Sequence, residues 1–256
     1  LRTALEAAVR WQFLSQNVAH LANSPRVRRQ EVPTISPEDQ SLLVARLRAE
    51  LRPNSTYLQR EGELSARLNL LMVTIGLCTG LRRGELCGLQ VRDIDVERSA
   101  IQVMRNVVDT SSHAHVKTPK NGRFRRVEVD RELLNDLVEH ADFISDLRTR
   151  VEGGWNEVGW LFPNHLGGVM RPRALYNRFR SALKRAGLSD RGYGIHSLRH
   201  THISQALMQG VPIKIVSDRV GHSSIAVTCD RYGHVMPSLS EGVIESLGHQ
   251  IRAGWV

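Results

Sequence analysis

Lysine is scarce in this chain. Of 256 residues, 35 are Lys or Arg, and only Lys117, Lys120, Lys184 and Lys214 are lysines. Cysteine is scarce too. Cys78, Cys87 and Cys229 are too few, and odd in number, for a disulfide scaffold, which excludes small secreted frameworks and fits a reducing cytosol. No stretch approaches the roughly 20 consecutive apolar residues that a membrane-spanning helix needs. The longest run, Leu70–Val73, is soon interrupted by Thr74 and Gly76. There is no internal repeat and no low-complexity tract. Hydrophobic residues make up 41% and charged residues 24%, a balance that excludes intrinsic disorder.

Positive charge is what the chain has in excess. The formal net charge is +9 at pH 7 and the isoelectric point is about 10.2. Such a surface needs a polyanionic partner, most often nucleic acid. Arginine supplies nearly all of it, and its planar fork matches phosphate oxygens bidentately where lysine offers a point charge. A GC-rich genome would produce the same ratio of Arg to Lys, so the ratio alone identifies no ligand.

The pattern of elements is mainly α with a small three-stranded antiparallel sheet. Residues 1–20 show helical spacing, with Leu1, Leu5, Ala8, Val9, Phe13 and Leu14 near one face. The chain thus opens in what reads as mid-helix, as expected of a piece of a longer protein. Residues 21–35 carry two prolines and little periodicity, which reads as a linker. Ser36-Pro37-Glu38-Asp39 is a helix start: Ser as N-cap, Pro in the first turn, acids at the positive dipole end. Helices are expected over Ser36–Leu51, Glu63–Cys78 and Arg82–Leu89. Strands are expected over Val91–Val96, Ala100–Val107 and Arg125–Val129, the last after an Asn121-Gly122 turn signal. Helices follow over Arg131–Val151, Arg171–Ala186, His196–Gln209, Ile213–Val220, Ser224–Tyr232 and Ser240–Arg252, with a loop at Gly153–Gly168.

Five of the 11 histidines lie between His196 and His234. His196 and His200 have the i, i+4 spacing of metal ligands on a helix, but Ser197 stands where a zinc protease has Glu, and no acid of that helix completes a site. A structural role for these histidines is an open alternative. A third reading groups different residues. His196 and Arg199 share a helix face at i, i+3. With Arg82 at a helix start, Lys120 at a turn, His222 after Gly221, and Tyr232, they would suit a phosphodiester better than a metal ion. Two guanidiniums can stabilise charge on a pentacoordinate phosphorus. A tyrosine can be the nucleophile, given a base or a cationic setting. A lysine can protonate the leaving oxygen.

Four blocks carry a family resemblance. They are Thr79-Gly80-Leu81-Arg82-Arg83-Gly84-Glu85-Leu86; Lys117-Thr118-Pro119-Lys120-Asn121-Gly122 leading to Arg125-Arg126-Val127; His196-Ser197-Leu198-Arg199-His200-Thr201-His202; and Gly221-His222-Ser223-Ser224-Ile225 running to Asp230-Arg231-Tyr232-Gly233-His234. Each is weak alone. In this order, and ending in a tyrosine, they closely resemble the catalytic domain of tyrosine recombinases, the phage-integrase family. The likeness covers about residues 36–250. Residues 1–22 resemble the last helix of that family's core-binding domain, truncated, with 23–35 as interdomain linker and 36–256 as catalytic domain.

The resemblance implies a site-specific DNA recombinase that cleaves and rejoins strands through a 3′-phosphotyrosyl intermediate, without ATP, metal or cofactor. It would integrate or excise a mobile element such as a prophage. By similarity Tyr232 is the nucleophile. Arg82 and Arg199 grip the non-bridging oxygens, and His196 acts in proton transfer with Tyr232. His222 hydrogen-bonds the phosphate, Lys120 protonates the departing 5′ oxygen, and Glu85 orients the basic groups. Arg83 competes with Arg82, and Lys117 with Lys120; the family register favours Arg82 and Lys120. Glu128 stands where the family often has Pro. His200, His202 and His234 read as structural or DNA-facing, Tyr57, Tyr176 and Tyr193 as packing or surface, and Cys229 as incidental. Implied partners are double-stranded DNA, a homotetramer on two DNA sites, and directionality and DNA-bending accessory proteins, with no membrane. The implied location is the bacterial cytoplasm, at the nucleoid. Ser240–Val256 is amphipathic and fits docking either on a neighbouring subunit or on its own domain.

Overall fold

The computed structural model describes residues 1–22, 33–51, 60–110, 113–118, 124–150, 155–156, 158–235, 248–249 and 251–252. The chain divides into two units, Leu1–Glu31 and Val32–Val256.

In the first unit the expected helix over 1–20 is interrupted. Helix α1 spans Arg2–Arg10, Gln12 takes a positive φ of 62°, and a single 3₁₀ turn follows at Val18–His20. Asn17 is the physical reason. Its side-chain oxygen accepts from the backbone N–H of Ala19 (3.1 Å), and its Nδ2 donates to the Arg2 carbonyl (3.0 Å) and to Glu6 Oε2 (2.6 Å). Arg2 Nε donates in turn to the Ala19 carbonyl (3.0 Å). Side chains that bond local backbone compete with helix continuation, and here they fold the second turn back on the first.

The second unit is built around helix α3, Arg60–Thr79, after α2 at Pro37–Arg48. Ser36 caps α2 as expected, its Oγ accepting from the Asp39 N–H at 3.2 Å. Ile35, inside the segment read as linker, is buried, and its N–H donates to Thr201 Oγ1 at 2.8 Å. Leu68, Leu71, Met72, Val73 and Ile75 of α3 are all buried, so apolar residues surround the helix and it is central. It packs against α2, against α5 (Arg131–Arg150), α6 (Pro172–Arg185) and α7 (Ile195–Met208). At Gly76 a Cβ would lie 2.7 Å from Leu198 Cδ1, so only glycine lets α3 and α7 approach this closely.

Short helix α4, Arg83–Cys87, follows the Thr79-Gly80 break. The sheet region is more elaborate than expected. β1 (Ile94–Asp95), β2 (Ala100–Val103) and β5 (Arg125–Glu128) form the antiparallel three-stranded sheet, in the order β1-β2-β5. The expected strand Ala100–Val107 is divided, however. Beyond Met104-Arg105 the chain starts a separate hairpin, β3 (Asn106–Asp109) with β4 (Ala114–Lys117), registered Val107↔Val116. Arg105 anchors the division, pairing with Asp93 and donating from Nε to the Gly88 carbonyl at 3.0 Å. Residues 91–93, expected as strand, form a 3₁₀ turn.

Helices α8 (Ile213–Val220) and α9 (Ile225–Tyr232) complete the unit, with a 3₁₀ turn at Gly233–Val235. The expected helix over Ser240–Arg252 falls mostly outside the described residues. Among the described residues no helix is long and apolar enough to cross a membrane. All three cysteines are free; burial pushes the Cys78 thiol up to about 11 and the Cys87 thiol up to about 12.

Candidate active site

Described residues of all four sequence blocks come together: Arg82 and Glu85 of the first, Arg125 of the second, Arg199 of the third and Gly221 of the fourth. Arg82 precedes α4 with an extended backbone, so its side chain turns back across the site. Its Nη2 donates to the Gly221 carbonyl at 2.6 Å and its Nη1 to Glu85 Oε1 at 3.0 Å. The Arg82 N–H donates to Glu85 Oε2 at 2.8 Å, so the same acid also ties down the backbone at the helix start. Glu85 is buried, at 3% exposure. Burial pushes its carboxyl up, but the hydrogen bonds and charges of Arg125 and Arg82 outweigh that and hold it below the usual carboxylate range.

Arg125, from β5, is a residue that the sequence blocks include without a role. It grips Glu85 and donates from Nε to the Arg219 carbonyl at 2.9 Å. A signal for it existed. Positions 125 and 127 share one strand face, Val127 is buried, and an inward arginine needs an acid.

Arg199 is 6% exposed, on α7. Its Nη1 donates to the Gly80 carbonyl at 2.7 Å, while its Nη2 is buried with no hydrogen-bond partner. Burial, then the charge of Arg82, lowers its guanidinium to about 9. A buried guanidinium nitrogen without an acceptor would be satisfied by the oxygen of an anion.

The histidines divide by role. His222 shares a 2.7 Å hydrogen bond between Nδ1 and Thr228 Oγ1; burial and the charges of Arg199, Arg82 and Arg231 bring its imidazole down to about 4. His196 keeps an exposed edge; partial desolvation of its ring, then the charges of Arg83, Arg199, Arg231 and Arg82, lower its pKa. His202 is structural: Nδ1 bonds the Leu77 carbonyl at 2.8 Å on the α3 side.

Tyr232 is 3% exposed, packed on Ile203, Leu207, Val216 and Val220. Its hydroxyl hydrogen-bonds His200 Nδ1. Among the described residues the histidine hydrogen-bonded to Tyr232 is His200, one turn further along α7 than His196. Only the i, i+4 spacing hinted at it. Burial raises the Tyr232 phenol to about 12 despite the charges of Arg199 and Arg231. Lys120 lies outside the described residues, in the connection between β4 and β5. Lys117 is exposed, at the end of β4 opposite Asn106. His234 lies in the 3₁₀ turn Gly233–Val235 that follows α9; its side chain lies outside what is described.

Among the described residues no group of three His, Cys, Asp or Glu side chains is arranged to hold a metal ion. The arrangement is instead a set of guanidiniums and imidazoles, with one acid, Glu85, already claimed by two arginines. It suits a bound monoanion and a nearby phenol.

The model of the phage integrase family matches residues 56–238, and the chain belongs to that family. A tyrosine recombinase XerC-like protein of Caldanaerobacter subterraneus is 32% identical over 182 residues, covering 66% of this chain and 46% of the relative. The ICEBs1 integrase of Bacillus subtilis is 26% identical over 175 residues, covering 68% and 47%. The chain thus spans about half the length of the curated relatives it matches. Among solved structures, the Tn1549 transposon integrase in complex with transposon right end DNA superposes with a TM-score of 0.68 at 19% identity, covering 96% of this chain and 76% of that one. The XerA recombinase gives 0.57 at 21% identity, covering 90% and 67%. At these identities the likeness shows a common fold: mainly helical, with a small antiparallel sheet.

Proposed function

We propose that this chain is the strand-cutting and strand-joining part of a site-specific DNA recombinase, working through a covalent 3′-phosphotyrosyl link to Tyr232. The observation that carries the reading is the orphaned, buried Nη2 of Arg199 beside Arg82, His222 and Tyr232. A scissile phosphate seated there would accept from both guanidiniums and from His222. The energy of the broken phosphodiester is kept in the tyrosyl ester, so rejoining needs no ATP. Glu85 holds Arg82 in register, His196 serves proton transfer, and Lys120 protonates the 5′ oxygen. Family membership supports all these roles.

The substrate is double-stranded DNA, gripped mostly through phosphates by arginine. The printed description of the Tn1549 integrase complex, with transposon DNA, supports that partner. The names of relatives, a phage integrase and the ICEBs1 integrase among them, support integration or excision of a mobile element in a bacterial host. A homotetramer on two sites and accessory bending proteins belong to the same reading.

The test is a suicide DNA substrate carrying the cognate site. A denaturing gel should show a protein–DNA adduct that Tyr232→Phe abolishes and that EDTA leaves unchanged. An adduct persisting in Tyr232→Phe would reject the reading, and cleavage lost in EDTA would favour a metal-dependent nuclease.

A further inference from the structure

We propose that His200 is the proton acceptor for the Tyr232 hydroxyl in strand cleavage, and its donor in rejoining. The inference rests on the proposed recombinase reading and, within it, moves the tyrosine's proton transfer from His196 to His200.

Geometry comes first. His200 presents Nδ1 to the Tyr232 oxygen, with the two rings tilted by 39° and their centroids 5.5 Å apart. Both side chains are buried, at 7% and 3% exposure. Among the described residues the imidazole is the one hydrogen-bond partner of this phenol. A buried hydroxyl proton needs an acceptor. If Nδ1 carried the ring proton, the hydroxyl would only accept, and its own proton would be left without a partner. The arrangement that satisfies the phenol has the ring proton on Nε2 and a lone pair on Nδ1.

The surroundings keep that lone pair free. Burial, then the charges of Arg231, His196 and Arg199, bring the His200 imidazole down to about 4. Ile203, Leu207, Val216 and Val220 pack around the tyrosine and supply no charge. A phosphodiester arriving at Arg199 would neutralise part of the repulsion that keeps His200 unprotonated. The base therefore strengthens when substrate is present. His196, exposed on the same helix, lies under the same cationic field without touching the phenol.

The step balances. The Tyr232 O–H bond breaks and its proton passes to Nδ1. The phenolate oxygen forms a bond to phosphorus, and the bond to the 5′ oxygen breaks with its electron pair. That oxygen takes a proton from Lys120, the general acid of the proposed reading. In rejoining, the 5′ hydroxyl returns its proton to Lys120 and its oxygen bonds to phosphorus; the bond from phosphorus to the Tyr232 oxygen breaks with its electron pair, and His200 gives the phenolate its proton.

The experiment uses the full-length protein and single-turnover cleavage of the suicide substrate across pH. His200→Asn keeps an acceptor near the Nδ1 position but cannot take the proton. Expected is a loss of about 100-fold or more in adduct formation, the scale of general-base catalysis. DNA affinity should stay unchanged, and the rate should now rise with hydroxide where the wild type levels off. Cleavage within threefold of wild type, with an unchanged pH profile, would overturn the proposal. A second measurement needs no substitution at 200. Nitrogen NMR of histidine-labelled protein should find His200 Nδ1 unprotonated and its signal displaced in Tyr232→Phe; a protonated Nδ1 in the neutral ring would overturn it. Failure of the recombinase reading itself looks different, as an adduct that survives Tyr232→Phe.

Discussion

Arg125 grips the buried carboxylate of Glu85 with both terminal nitrogens, Nη1 to Oε1 at 3.0 Å and Nη2 to Oε2 at 2.7 Å. The same carboxylate takes the Arg82 backbone N–H and Nη1, so one acid ties strand β5 to the arginine that faces the site. Arg125→Gln leaves that acid buried with half its partners. Removing one member of a buried pair costs about 3–5 kcal/mol. The expected outcome is a lower urea midpoint, together with a loss of adduct formation of about 100-fold, since displacements of an ångström carry that penalty. Glu85→Gln should weaken adduct formation in the same way. Wild-type cleavage in Arg125→Gln would show that the clamp does not position Arg82.

Gly221 sits between Arg82 and Arg125. Its φ is +67°, its carbonyl accepts from Arg82, and a Cβ would lie 2.9 Å from Arg125 Nη1. Gly221→Ala therefore combines left-handed strain of about 1–2 kcal/mol with displacement of the clamp. Denaturant unfolding should register at least that loss. Adduct formation should fall as well, because His222 is the next residue.

Acid should destabilise the second unit through its buried histidines. His140 is fully buried, its Nε2 bonds the Leu161 carbonyl at 2.9 Å, and burial followed by the charge of Arg67 brings it down to about 4. His202 is likewise lowered to about 4, by burial and Arg219. A histidine with a depressed folded-state value is neutral in the fold, whereas the unfolded chain takes the proton near pH 6.5. Its stabilisation is full above pH 6.5 and is lost as pH falls toward 4. His140→Leu should flatten the fall in unfolding free energy over that window by about 2–4 kcal/mol. A variant with the wild-type pH slope would exclude His140 as a source.

Arg83, Arg171 and Arg173 line an open cavity of about 520 Å³ with Asp109, Tyr176 and Asn177. Asp109 engages Arg171 at 2.9 Å and the Arg173 backbone N–H at 2.9 Å. Arg83→Gln and Arg173→Gln should each weaken DNA binding across all sequences and reduce the salt slope by about 1. Titrations at several salt concentrations would measure it; unchanged slopes would remove both residues from the DNA interface.

The local parts of this reading were legible. Ser36 with Pro37 marked a helix start because capping is chemistry between neighbours, and the α3 pattern marked a long helix. The β3–β4 hairpin was missed because its connection carries Ser111-Ser112, without the Asn-Gly signal found at 121–122. The break after Met104 was invisible because Asp93 and Gly88, which hold Arg105, are distant in sequence. The break in the first helix depended on Asn17 reaching back to Arg2.

By itself the sequence determined the kinds of groups present and their order: a phenol, two guanidiniums, imidazoles and one acid, in blocks that identify the family. Only the tertiary structure decided which of them touch. His200 rather than His196 meets Tyr232, and Arg125 completes the hold on Glu85. The physical reason is range. Propensity, capping and periodicity act within a few residues, whereas hydrogen bonds from residue 82 to 221 and from 125 to 85 exist only after α3, β5 and α8 have packed.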